Sequence, residues 1–504
     1  MNYRNLLHGV LLALLFLLAA HTIAAQDQPQ QPPPDQPQPQ PQDPQQAPPQ
    51  EPDDNPYGSM PKPAGQALPY FGLGLGNGDL RPDYTPLTGM LNAGLGFPDV
   101  KHSYWVPGVQ VASTAQSSLF GQSTTSSTSN WYATNYVTGD LSLLEAWSRS
   151  QLALNYSGGG AFSTDSAIGN SGFQQLAFAQ SFQLNRWIVQ IVDEFAQLPQ
   201  SAFGFGIGTT LGVPGVGGAL GPTVPSVGNN YNPNQAVFGG FGPRISNVAV
   251  MQATYQLTRR SSLTASGSYA ILHFLDAGNI DSRSLFASLG YNYQLSHKDT
   301  IGLFYEFSSF RFPGNPEAYG VQIVSAAYSR KITGRMALAL YGGPQFTSLR
   351  VAVGNTSSTV NGYASAFLHY GFRNGGIGAN YVHGMSGGSG VFAGSIQDEA
   401  GFSATRRLSR QWGASVHAGF ARNRNVVNVP GVNNPSYDDW YVGVGLNRPI
   451  GRDLNVSLAY SATFQTHYPG CSSSDSAGCG PSATTSGQQI TLSFRWHPRP
   501  FALQ

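Results

Sequence analysis

Two cysteines, ten histidines and a charged fraction of 10% carry whatever reactive chemistry this chain of 504 residues has. A Ser–His hydrolase needs a nucleophile, a base and an orienting partner within hydrogen-bond reach. His369 follows Ser365, and His417 follows Ser415, at even spacings. In an extended strand such pairs share a face, because side chains alternate sides. His383 falls on the other, outward face near an outer rim and is followed by Gly384-Met385-Ser386. None of these residues sits in a recognisable catalytic signature, and a serine close to a histidine is expected by chance in so Ser-rich a chain. No phosphate loop, metal cluster or dinucleotide fingerprint stands in a credible context. The expectation is therefore no enzyme, no cofactor and no metal.

Cys471 and Cys479 lie in one Gly/Ser loop. Only His467 is near, too few ligands for a metal site. The pair fits an oxidising compartment and is expected to form a disulfide. Seven charges fall on faces that read as inward. The acidic ones come early (Asp140, Glu194, Glu306) and the basic ones late (Lys331, Arg373, Arg407, Arg495). Opposite charges across a pore make a transverse field that orients polar solutes. The alternative is plain interfacial charge, since Arg373, Arg407 and Arg495 lie near the ends of their runs.

The elements that must position these residues repeat one unit from Trp105 to Trp496: a run alternating apolar and polar, then a turn. In 454–465, Leu454, Val456, Leu458, Tyr460, Ala462 and Phe464 share one face, while Asn455, Ser457, Ser461, Thr463 and Gln465 share the other. In 283–296, Leu285, Leu289, Tyr291, Tyr293 and Leu295 read as outward, and Ser288, Asn292 and Gln294 as inward. In 247–258, Met251, Ala253, Tyr255 and Leu257 read outward against Gln252, Thr254 and Gln256. In 412–425, Trp412, Val416 and Phe420 read outward against Ser415 and His417.

About 18 such runs can be drawn, with 16 as the fallback count because Pro107 and Pro344 interrupt two of them and proline belongs at strand ends or bulges. Turns alternate short and long. Asn374-Gly375 is a strong hairpin signal, and every short turn falls on one side. The fold class is all-β: a single antiparallel up-and-down transmembrane barrel over 104–504.

The bulk properties agree. Soluble domains carry about 25% charged residues, against 10% here, with aromatics at 12% and 61 glycines. Net charge is +1 with Lys and Arg scattered, so no nucleic-acid partner is expected. Residues 1–25 read as a signal peptide: Arg4 is the positive start, Leu6 to Ala20 the apolar stretch, and Ala24 or Ala25 the cleavage residue. No cysteine stands immediately after that point, so no lipoprotein is expected. Residues 26–56 are a Pro/Gln tail with too little apolar surface to fold. Residues 57–103, rich in Gly, Pro and Leu, read as irregular periplasmic structure or a plug-like insert into the barrel mouth.

This pattern resembles Gram-negative outer-membrane β-barrels of porin size over Trp105 to Trp496, in architecture. The last run, with Ile490, Leu492, Phe494 and Trp496 outward, resembles the C-terminal assembly signal of such proteins, read from Phe494 and Trp496 or from Phe501. The uncharged loop at about 204–246, where only Arg244 is charged, resembles the third loop of general porins, which folds into the pore.

The resemblance implies outer-membrane location and passive diffusion of small polar solutes or ions through an aqueous channel. It also implies contact with membrane lipid, lipopolysaccharide and the assembly machinery. A polysaccharide-export barrel, and a plugged structural barrel tied by its tail to the cell wall or another periplasmic partner, are the rival readings. A homo-oligomer would need a flat outer stripe of small residues, for which Ala364 and Ala366 are the candidates.

Overall fold

The computed structural model describes residues 103–117, 131–165, 169–198, 243–276, 279–314, 318–351, 355–386, 394–426, 432–433, 436–468, 471–472 and 483–502. The signal peptide, the Pro/Gln tail, all of 57–103 but Ser103, most of the 204–246 loop and Cys479 lie outside these residues.

The strands follow in chain order. β1 is Tyr104–Ser117, β2 Trp131–Ala146, β3 Ser150–Ser163, β4 Ser171–Leu184, β5 Trp187–Leu198, β6 Arg244–Gln256 and β7 Ser261–Phe274. β8 is Ser282–Gln294, β9 Asp299–Arg311, β10 Ala318–Thr333, β11 Met336–Val351, β12 Asn355–Phe372, β13 Gly375–Ser386 and β14 Ser395–Arg407. β15 is Gly413–Asn425, β16 Val432–Asn433, β17 Ser436–Ile450, β18 Leu454–Tyr468, β19 Cys471–Ser472, β20 Ala483–Trp496 and β21 Phe501–Ala502. Apart from the two-residue β16, β19 and β21, these are 18 strands of 12 to 18 residues, above the fallback count. Each long strand pairs antiparallel with the next, and β20 pairs with β1 to close the sheet. β21 extends that edge, with Phe501 opposite Trp105. β16 and β19 pair with each other apart from the barrel.

Closure leaves no long strand of the barrel with a free edge, which a strand structure in lipid requires. The alternation predicted from sequence sorts as expected. Leu303 is 58% exposed on the outside, whereas inward Thr264 and Ser325 are at 0%. At the short-turn end Trp187 packs on Tyr255, and Trp105 stacks on Phe501, each at 4.7 Å between ring centroids. At the long-loop end Phe420 packs on Trp440 at 4.5 Å. This placement matches the two aromatic girdles that amphipathic rings form in membrane barrels.

One turn falls where the sequence places it and one differs. Asn185 adopts φ 39°, the left-handed conformation that asparagine tolerates. At Asn374-Gly375, however, Arg373 and Asn374 form the turn, and Gly375 already pairs with Phe372. The glycine serves close approach instead, because a Cβ there would run into the Thr405 carbonyl of β14.

Pro344 sits inside β11. It breaks the ladder to β10 between Ile323↔Gln345 and Ala326↔Gly342, yet the register resumes unchanged. The missing N–H costs local pairing without shifting the strand, so β11 counts as a full member.

Candidate functional site

The inner wall is the surface on which solutes could act, and its charges distribute along the strands rather than across them. Lys331 faces inward near the short-turn end of β10. Arg373 is exposed in the turn after β12, and Arg407 is the exposed last residue of β14. Arg495 is the penultimate residue of β20. The four predicted basic residues therefore gather at the short-turn end. Glu194 and Glu306 face inward from the middle of β5 and β9.

Asp140 and Arg495 are not opposed across a pore. Arg495 Nη2 donates to Asp140 Oδ2 at 3.4 Å, and His497 Nε2 donates to the same oxygen at 2.8 Å. Closure puts β2, β1 and β20 side by side, so the first acidic and the last basic residue become near neighbours. Arg244, read as a loop residue, instead begins β6 and faces inward, 2% exposed.

Two inward acids escaped the sequence reading. Glu399 shares the inner face of β14 with Gln397 and Ser403, and Gln397 Nε2 donates to it at 3.0 Å. Asp439 faces inward beside outward Asp438. The signal was available, because period-two alternation splits any adjacent pair between faces.

The interior is less uniformly polar than the alternation implied. A buried cluster of Leu144, Ala153, Ala177, Val192, Val248, Val250 and Ala270 runs along the inner faces of β2 to β7, with Tyr104 and Phe286 against it. A second cluster near the long-loop end joins Phe310, Tyr319, Val321, Ile323 and Leu349. Inward Ala and Val are small, so neighbouring side chains close over them.

Between this second cluster and the short-turn end lies an alcove around Glu306. Phe304 is on the same inner face of β9. Tyr341 of β11 meets Phe304 edge-on at 6.2 Å and Phe367 of β12 at 6.0 Å. Tyr363 of β12 packs against the second cluster, whose Ile323 stands opposite Glu306. The room comes from small inward residues of the intervening strands: Ala327 stands opposite both Gly302 and Tyr341, and Gly343 stands opposite Tyr363.

The histidines separate as expected. His369 and His417 face inward with Ser365 and Ser415. His383 faces outward near the long-loop rim, where its Nδ1 lies 2.6 Å from Asp398 Oδ1. Asp398 also accepts from Arg424 Nη2 and Tyr381 Oη, both at 3.0 Å. Next to it Arg422 grips Asp438 through two hydrogen bonds of 2.7 Å. The outward His–Asp pair thus belongs to a rim network of ions above the aromatic girdle.

No protein-family model matches the chain, and no curated protein matches it. Among solved structures it is similar to Pseudomonas aeruginosa OccK2 (OpdF), at 11% identity over 80% of this chain and 99% of that one, TM-score 0.42. It is also similar to the outer membrane protein OpdK of the same organism, at 10% identity over 79% and 99%, TM-score 0.40. A BenF-like porin from Pseudomonas fluorescens Pf-5 is 10% identical over 81% and 100%, TM-score 0.41. No family membership follows from likeness at this distance.

Proposed function

We propose that the chain is an outer-membrane channel for passive diffusion of small polar solutes or ions. The observation that carries this reading is a closed barrel of 18 long strands with an apolar, aromatic-girdled outside and an inner wall set with Gln, Ser, Thr, Glu and Asp. Barrels of 16 to 18 strands leave an aqueous interior, on the order of porin size. An outward apolar band between aromatic girdles suits the hydrocarbon layer of a bilayer. The short turns would face the periplasm and the long loops the exterior.

In this reading residues 1–25 direct export, 26–56 form a periplasmic tail, and 57–103 lie at or near the periplasmic mouth. Cys471 and Cys479 form a disulfide in an outer loop. Phe494 and Trp496 present the assembly signal, and both face outward at 45% and 46% exposure.

The test is single-channel conductance of the refolded protein in a planar bilayer, alongside a variant lacking residues 26–103. Stable steps are the expected result. Silence from a barrel whose gel mobility shows it folded would overturn the channel reading, and conduction by the shortened variant alone would make the N-terminal segment a plug.

A further inference from the structure

We propose that the Glu306 alcove is a binding site for organic cations with an apolar or aromatic body. The proposal rests on the channel reading for how solutes reach the inner wall.

Glu306 is a partly buried carboxylate at mid-strand, and no basic group among the described residues pairs with it. The inward-facing Arg and Lys residues Arg244, Lys331, Arg407 and Arg495 all lie at strand ends, on β6, β10, β14 and β20, and the inward histidines His369 and His417 are on β12 and β15. Nor does the inward amide in register with it, two strands along, donate to it. Ile323 separates Glu306 from Gln345, whose Nε2 donates to Thr347 Oγ1 and whose Oε1 accepts from the Met385 backbone N–H, each at 3.3 Å. A carboxylate in this setting keeps an unmet demand for positive charge.

The rings beside it match the other half of such a ligand. Phe304, Tyr341 and Phe367 come from three strands and meet edge to face, and Tyr363 lies on the inner face of β12 with Phe367, against the adjoining apolar cluster. Cations are drawn to the faces of such rings, more strongly where water is scarce. A simple metal cation would gain little from the rings. A carboxylate solute would be repelled by Glu306 and would meet no counter-charge there. An ammonium on an aromatic or branched body satisfies both features. The apolar cluster at Phe310, Tyr319 and Ile323 adjoins the alcove toward the long loops and would take the body of a longer ligand.

The experiment uses the full chain in planar bilayers, with benzyltrimethylammonium as probe and benzoate as its anionic counterpart. Calorimetry of the same probe on detergent-solubilised protein runs in parallel. The cation is expected to block or dwell in the channel and benzoate to do neither. Glu306→Gln is expected to weaken the cation effect about tenfold, and Tyr341→Leu to weaken it as well. Folded variants are identified by heat-dependent gel mobility.

Equal action of both probes, or an undiminished cation effect in a folded Glu306→Gln protein, would overturn the proposal. Should the barrel be silent, calorimetry separates the two claims. Glu306-dependent cation binding would keep the alcove and overturn the channel, and no binding would overturn both.

Discussion

Asp140 and His497 meet across a glycine. Asp140 Oδ2 lies 2.8 Å from His497 Nε2, and Gly108 of β1 lies between Asp140 on β2 and His497, the residue after β20. A Cβ on Gly108 would run into both side chains. Arg495 joins the same carboxylate, whose side chain is 3% exposed. The first and last long strands are thus clasped by polar groups as well as by backbone ladders.

Asp140→Asn should weaken closure, because it removes the charge that Arg495 and His497 share. The carboxylate is buried but its partners Arg495 and His497 keep 20% and 32% exposure, which suits a loss of about 1–3 kcal/mol. Gly108→Val should do at least as much harm through collision. The check is the temperature at which folded gel mobility is lost, with Asp193→Asn as an outward control.

Leu289 is 51% exposed on the outside, and Asn292, three residues on in the same strand, is 4% exposed on the inside. Leu289→Arg should cost about 2–4 kcal/mol if the outer face meets lipid at mid-depth. Asn292→Arg should leave folding closer to wild type and shift ion preference toward anions. Equal damage from both, in urea titrations from lipid vesicles, would contradict the lipid-facing assignment.

Trp187, Trp440 and Trp496 all face outward, at 46%, 49% and 46% exposure. Their emission should be quenched by lipids brominated near the headgroup more than by lipids brominated at the chain ends, since girdle residues sit at the interfaces. The reverse order would place these rings at the bilayer centre.

The Arg422–Asp438 pair is bidentate, with the aspartate side chain 11% exposed and the arginine 48%. A double-mutant cycle to alanine should give a coupling of about 1 kcal/mol, modest because the arginine is half exposed. Exchange of the two residues should recover part of it. Additive single effects would show that the two hydrogen bonds contribute nothing to stability.

Cys471 and Cys479 should resist maleimide labelling in protein made in an oxidising compartment and label fully after reduction. Labelling of both without reductant would remove the disulfide from the outer loop.

Much of this architecture is written along the chain. A membrane barrel gives each strand one lipid side and one water side, so alternation repeats for the whole strand and its phase is unambiguous. Met251, Leu285 and Leu458 read as outward, and Gln252, Ser288 and Ser461 as inward, and each lies where expected. Even Pro344, which counted against β11, only interrupts a ladder, because the surrounding register is held on both sides.

Alternation says which face a residue takes, but not which residues on that face become neighbours. That depends on strand count, stagger and closure, which are properties of the whole sheet. Asp140 and Arg495 are 355 residues apart and touch only because β20 returns to β1. Glu306, Tyr341 and Tyr363 gather because small residues on the strands between them leave room, a fact no single strand contains. The sequence by itself determined the barrel and its two faces. Only the tertiary structure decided which charges pair, and which one is left facing a ring of aromatics.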